Sequence, residues 1–357
     1  MNKIKALVFC SALLALSLKP SPAAPLLSEG FETYNLGALD ADYPGSNAGP
    51  NGGPGTAWWS VFPPSFFVVN AETYTLPGVS TDLVSPHDGA NMVRGDISGN
   101  ASDTIYYNLA YRLNNTNGFF GNVILDWWFY DPVGTNMNAG NGVFPSQYQD
   151  TISLIAYPNI PPTNADYFLD PNNPAADPGS PIEGLSLGAD RLQGAGYIAT
   201  NYQAQVFGAT GAYNSDGWFN LTNNIRSVGW HHARIAISSV NTNSNTGAVA
   251  FYIDDMVNAA FANITAVTNG FNVIEMDASY GSFTGYFDDL TFGVPVPPTR
   301  LSIVASGGKA IVTWPGTGWT LQSSTNLSGT NFVDVLTATS PYTNTITSTP
   351  LFFRLRQ

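Results

Sequence analysis

The chain has 357 residues, only 10% of them charged, with 12 Lys and Arg against 25 Asp and Glu. So acidic a balance excludes recognition built on phosphate contacts, to nucleic acid or to an anionic membrane, because both need clustered basic side chains. Aromatic residues at 13% supply a core, and no long periodic run of helix formers follows residue 23, so neither a disordered nor a helical chain is expected.

In chain order, Lys3 and Lys5 precede the apolar run Ala6 to Leu18, and Ser21-Pro22-Ala23 offers small residues for cleavage. This is the pattern of a secretory signal. The run is 13 residues long, whereas a membrane-spanning helix needs about 20. Bulky Phe9 before Cys10 argues against lipid attachment there. Cleavage near Ala23 removes three of the 12 basic residues (Lys3, Lys5 and Lys19) and the only cysteine. Nine basic residues then face 25 acidic ones, a net charge of −16, with no thiol and no disulfide. The expectation is a secreted, extracellular protein without membrane insertion or nucleic-acid binding.

Residues 25–294 read as one long all-β domain. Strands are expected at 28–34, 66–69, 91–95, 104–109, 122–130, 150–156, 183–188, 217–220, 231–238, 248–253, 273–278 and 284–293. The stretch Val123-Ile-Leu-Asp-Trp-Trp-Phe-Tyr130 is apolar on nearly both faces and belongs in the middle of a sheet. Between Tyr157 and Ile182 the density of proline forbids ladder bonding, so a long loop is expected. Val294-Pro-Val-Pro-Pro-Thr299 is a stiff linker. Six further strands fit at 301–305, 310–314, 320–324, 332–336, 343–347 and 352–355.

Gly229-Trp-His-His-Ala-Arg-Ile-Ala-Ile-Ser and Gly247-Ala-Val-Ala-Phe-Tyr-Ile-Asp-Asp255 alternate apolar and polar residues around a polar turn. This pair resembles the hairpin of concanavalin A-like and laminin G-like jelly rolls. The C-terminal segment, with Trp314-Pro and Gly318-Trp-Thr-Leu-Gln-Ser-Ser, resembles a small immunoglobulin-like or fibronectin type III-like accessory module. In the jelly-roll carbohydrate-binding modules that the main domain resembles, first and last strands lie side by side. There a Gly-Phe-Glu near the start and an Asp-Asp-Leu near the end hold a structural Ca²⁺. The resemblance therefore implies Glu32 and Asp288 as ligands, with Glu29 and Asp289 behind them. The plain alternative is that Glu32 and Asp288 are strand-end charges. Hard carboxylate oxygens suit Ca²⁺, and no His/Cys cluster suits Zn²⁺.

Val273-Ile-Glu-Met-Asp-Ala-Ser-Tyr280 resembles the Glu-x-Asp-x-x-Glu strand of concanavalin A-like family 16 glycosidases. Glu275 and Asp277 match its first two carboxylates, but Tyr280 (or Ser279, allowing for slippage) stands where the acid belongs, which argues against that mechanism. His231 and His232 are adjacent and so face opposite sides of a strand. His231 is expected as a core or strand-end residue, His232 outside, and His87 in a structural corner. Trp127, Trp230 and Trp314 are assigned to core packing. Trp58, Trp59, Trp128 and Trp218 are candidates for stacking on sugar rings.

These readings converge on a non-catalytic protein that binds an extracellular polysaccharide or matrix glycan, with Ca²⁺ as a structural ion. The alternatives are a glycoside hydrolase or polysaccharide lyase on the same jelly roll, and a purely structural cell-surface protein.

Overall fold

A computed structural model describes residues 23–39, 58–60, 66–76, 80–95, 104–115, 117–135, 149–158, 181–190, 198–207, 209, 211–212, 215–241, 244–268, 270–279, 285–295, 301–314, 319–326, 332–336, 338–346 and 349–356. The expected signal segment, most of the loop expected between 157 and 182 and the expected linker lie largely outside these residues. Residues 23–295 form one compact unit, and residues 296–357 belong to a second.

The first unit contains β1 (Ala23–Glu29), β2 (Gly37–Ala38), β3 (Trp58–Ser60), β4 (Phe66–Val69), β5 (Glu72–Leu76), β6 (Ser80–Val84), β7 (Met92–Gly95) and β8 (Thr104–Asn108). A single helical turn, α1 (Leu109–Arg112), leads to β9 (Val123–Asp131), β10 (Gln149–Ala156), β11 (Glu183–Asp190), β12 (Asn201–Val206) and β13 (Trp218–Ile225). β14 (Gly229–Asn241), β15 (Thr246–Ile253), β16 (Phe261–Ala266), β17 (Val273–Ser279) and β18 (Gly285–Pro295) complete it.

They make an antiparallel sandwich. One sheet has nine strands in the order β16-β15-β14-β9-β18-β7-β4-β2, with β1 added on β18; the other has seven, β13-β12-β11-β10-β17-β8-β3. β9 lies between β14 and β18, the central place its apolar residues require. Alternation sends Leu125, Trp127, Phe129, Ile235, Ile237 and Phe251 inward from one sheet and Ile152, Leu154, Leu185, Leu187, Ile274 and Met276 from the other. The hairpin β14/β15 pairs Ala233 with Ile253, Ile235 with Phe251 and Ile237 with Val249, so its apolar parity goes entirely to this core.

One end of the core is polar. Asp131 and Arg226 are both almost wholly buried and form a two-bond ion pair at 2.8 and 2.9 Å. The N–H groups of Val133 and Gly134 and the hydroxyl of Tyr202 also donate to Asp131. Burial pushes the Asp131 carboxyl up, but the Arg226 charge and hydrogen bonds, with the N–H groups of Gly134 and Val133, outweigh it and hold it below its ordinary value. Asp150, buried nearby on the inward face of β10, has no cation of its own, and burial followed by Asp131 pushes it well up.

First and last strands do lie side by side, with Leu27 opposite Phe292 and Glu29 opposite Leu290. The first strand is displaced from its expected span. It ends at Glu29, because the chain turns at Gly30 and Phe31, the latter in a left-handed conformation at φ 58°. Glu32 consequently sits in a turn and not on the strand. β12 and β16, rich in Asn, Gln and Ala, were not expected as strands.

The second unit is a small sandwich of two three-stranded sheets. β19 (Ser302–Ser306), β20 (Lys309–Thr313) and β23 (Tyr342–Thr345) form one; β22 (Val333–Asp334), β21 (Thr320–Ser324) and β24 (Phe352–Arg356) form the other. Gly307 and Gly308, both at positive φ, close the β19/β20 hairpin with a two-residue turn, which only glycine-like residues allow without strain. Its buried core among the described residues is Val312, Trp314 and Leu321.

Candidate functional site

The junction of the first and last strands gathers carboxylates, but each is already engaged. Glu32 Oε1 accepts the backbone N–H groups of Ala90 and Asn91 at 2.8 and 3.0 Å. Asp288 Oδ2 accepts those of His87 and Asp88, and its Oδ1 that of Asp289. Asp289 Oδ2 meets His87 Nδ1 at 2.7 Å. Glu29 lies apart, nearly buried, where Tyr34 and Tyr107 donate their hydroxyls to its two oxygens; burial raises its pKa. Burial and then Asp289 push Asp288 up to about 7, against the pull of its N–H donors. Among the described residues no three His, Cys, Asp or Glu side chains converge as a metal site. These bonds brace the 87–91 turn against the two strands.

The tryptophans also divide unevenly. Trp58 and Trp218 are 1% and 0% exposed, so both belong to the interior and offer no ring to a ligand. Trp58 packs edge-on against Tyr107 at 4.7 Å. Its strand is short, and the Gly/Pro-rich stretch before it reads as loop, which concealed its inward parity. Trp128 lies on the outer face of the nine-stranded sheet between two imidazoles, His87 at 3.6 Å and His232 at 4.9 Å, so both ring faces are taken. Trp230, assigned from sequence to the core, is only partly buried and donates its Nε1 proton to Ser85 O. Of Trp59 only the backbone is described, paired with Tyr106. His231 is the strand-end residue expected: Nδ1 meets Asp254 at 2.8 Å and Nε2 meets the Ser227 carbonyl at 2.8 Å.

The outer face of the seven-stranded sheet is different in kind. On β11, Gly184-Leu-Ser-Leu-Gly188 alternates, sending Leu185 and Leu187 inward and Gly184, Ser186 and Gly188 outward. On β10 the outward partners of Ser186 and Gly188 are Ser153 and Thr151. The two strands thus present a strip of short side chains. Longer ones flank it. On one side Glu275 of β17 stands opposite Ser153, Asp277 stands opposite Thr151, and Tyr106 of β8 lies beyond Glu275. On the other side Gln205 and Gln203 of β12 stand opposite Ser186 and Gly188.

The strip is ordered by hydrogen bonds. Ser153 Oγ donates to Ser186 Oγ at 2.7 Å, Ser186 Oγ to Gln205 Oε1 at 2.9 Å, and Gln205 Nε2 to the Asp216 carbonyl at 3.0 Å. The floor residues Thr151, Ser153 and Ser186 are at most 4% exposed, whereas Tyr106, Glu275 and Gln205 are half-buried and rise beside them. At one end Tyr106 packs on Ala110, Ile155, Tyr157 and Val273, a cluster separate from the main core. Burial, then the neighbouring Asp277, pushes the Glu275 carboxyl well up. A carboxyl raised beside a second carboxylate offers a donor and an acceptor on one surface.

Glu275 and Asp277 were legible in the sequence as a carboxylate pair on one strand face. Tyr280, at the place of the missing acid, lies outside the described residues. Thr151, Ser153, Ser186 and Gln205 were missed; the alternation Gly-Leu-Ser-Leu-Gly was the signal that marked them.

No protein family matches the chain, and no curated protein matches it. Among solved structures it is similar to a carbohydrate esterase from a Shiga toxin-encoding bacteriophage, at 12% identity and TM-score 0.33 over 65% of this chain and 91% of that one. It is also similar to the endo-β-1,4-glucuronan lyase of the fungus Trichoderma reesei, at 8% identity and TM-score 0.32 over 76% and 91%. The Ca²⁺-bound exoplasmic/lumenal domain of VIP36 aligns at 10% identity and TM-score 0.28 over 66% and 85%. Such distant likenesses are consistent with the all-β sandwich and carry nothing about activity.

Proposed function

We propose that the chain is a secreted, non-catalytic carbohydrate-binding protein whose ligand lies along the β10/β11 strip. The observation that carries this reading is the strip itself: short hydroxyl-bearing side chains and glycines flanked by half-buried Tyr106 and Glu275 on one side and half-buried Gln205 on the other. A sugar ring presents hydroxyls that both donate and accept, and C–H faces that pack on phenol rings. Carboxylates, amides and hydroxyls on a rigid sheet, with a tyrosine at the edge, are the complementary set.

A second reading, glycoside hydrolysis in the same strip, is favoured by one observation, the raised Glu275 carboxyl beside Asp277. Divergent protonation of two neighbouring carboxyls is how acid and base roles are divided. A glycan array run in parallel with a polysaccharide-degradation assay, each with Ca²⁺ and with chelator, separates the readings. Retention of a glycan without soluble products is the expected result. Soluble products would replace binding by catalysis, and neither binding nor products would return the chain to a structural role. Loss of thermal stability in chelator would restore a calcium site.

A further inference from the structure

One flank of the sandwich is built without charge. β12 and β13 end the seven-stranded sheet, β15 and β16 end the nine-stranded one, and these four strands contain no Asp, Glu, Lys, Arg or His. The two edge strands meet there, with Phe219 of β13 and Phe261 of β16 stacked at 4.6 Å. Among the described strands none pairs with the far side of β16. Val249 and Phe251 of β15 point into the core opposite Asn263 and Phe261, so Ala262, Ile264 and Ala266 point outward, beside Ala250, Ala248 and Thr246. Ile264 is 59% exposed among these small, uncharged side chains. Just past the strand, the Val267 N–H donates to the Asn245 carbonyl. Antiparallel ladders alternate from residue to residue, so Ala262, Ile264 and Ala266 turn their N–H and C=O groups to the open edge. The Ile264 N–H is met by the side chain of its own neighbour Asn263 at 2.7 Å, a local contact that a ladder bond can replace. Edge strands are commonly blunted by charge, proline or a bulge. β16 reads Phe-Ala-Asn-Ile-Thr-Ala and pairs with β15 in unbroken register, so it has none of these.

We propose that β16 is an interface between two copies of this chain, its open edge pairing antiparallel with the same edge of the other copy about a two-fold axis at Ile264. Side chains then match on both faces. Ile264 meets Ile264 of the other copy, Ala262 of each copy meets Ala266 of the other, and Asn263 meets Thr265. Each outward pair exchanges two ladder bonds, and the surface is self-complementary as a two-fold contact requires. Charge identifies the occupant. With 12 basic residues against 25 acidic, two copies repel over most of their surface, and a basic partner is drawn to the acidic faces instead of this one. A flank without charge fits a partner that carries the same charge as the chain itself. The ladder is short, so the association is weak, in the micromolar range. No residue of the β10/β11 strip takes part, so this interface is independent of the binding reading.

Sedimentation velocity of the chain from Ala23 onward, at concentrations from micromolar to near-millimolar, tests this. The expected result is a reversible monomer–dimer equilibrium whose dimer fraction rises with salt, because screening weakens repulsion between the acidic faces and leaves an uncharged interface intact. Ile264→Lys changes an exposed side chain on the axis. It should weaken the dimer about tenfold or more and leave thermal unfolding of the monomer unchanged. Ala262→Pro removes an N–H from the open edge and spares the bonds to β15, as proline on an edge strand allows. Where thermal denaturation shows that variant to be folded, it should weaken the dimer in the same way. A chain that stays monomeric over the whole range would overturn the proposal. So would a dimer that either folded variant leaves unchanged, or one that dissociates as salt is added, which is the behaviour of opposed charges.

Discussion

Glu275 is the residue at which structure and chemistry pull hardest against each other. Its carboxyl is held on a half-buried strand position beside Asp277, with burial as the larger cause of its raised pKa. A folded pKa above the unfolded one means that the native state takes up a proton. The associated stability is complete below the ordinary glutamate pKa near 4.5 and is lost as pH rises through the folded value. Glu275→Gln removes that titration. The variant should therefore melt a few degrees above the wild type at pH 8 to 9 and level with it near pH 4, read by thermal denaturation across pH. The sequence made Glu275 and Asp277 visible because alternate carboxylates on an apolar strand are conspicuous. It hid Thr151, Ser153 and Gln205, since short polar residues are ordinary on any strand until their cross-strand partners are known. Trp58 and Trp218 misled for the opposite reason: local Gly and Asp-Gly signals suggested loops, while their inward burial is decided by distant packing partners.

At the scale of elements, the β10/β11 pair makes the strip, and Gly188 makes the pair possible. Gly188 has φ 154°, and a Cβ there would lie 2.3 Å from the carbonyl oxygen of Asp150 on the neighbouring strand. Gly188→Ala must therefore spread the two strands or bend one. The expected cost is about 1–3 kcal/mol in denaturant unfolding, from overpacking against rigid backbone. A neutral effect would mean the strands are not so closely apposed. The turn after β1 shows what a single local conformation redirects. Gly30 and left-handed Phe31 end the strand, so Glu32 reaches the 87–91 turn and Glu29 meets two tyrosines. Sequence could place the first strand beside the last but could not show that its acidic residues would part company at that bend.

At the scale of the whole first unit, charge on the described strands is sorted by sheet. The cations of the first unit's strands, Arg94, His231, His232 and Arg234, all lie on the nine-stranded sheet, while the seven-stranded sheet is purely acidic. The all-β class, the positions of most strands along the chain and the hairpin at its core were legible because alternation and turn chemistry are local. The pairing of β10 with both β11 and β17 joins residues about 30 and 120 positions apart in the chain, so the strip became visible only when the sheet closed. The most direct measurement is calorimetric binding of the best-retained oligosaccharide to wild type and to Ser186→Trp, an indole placed on the floor of the strip, with thermal denaturation confirming that the variant is folded. Loss of binding in the folded variant is the result expected. An affinity equal to that of the wild type would contradict the assignment of the ligand to this face.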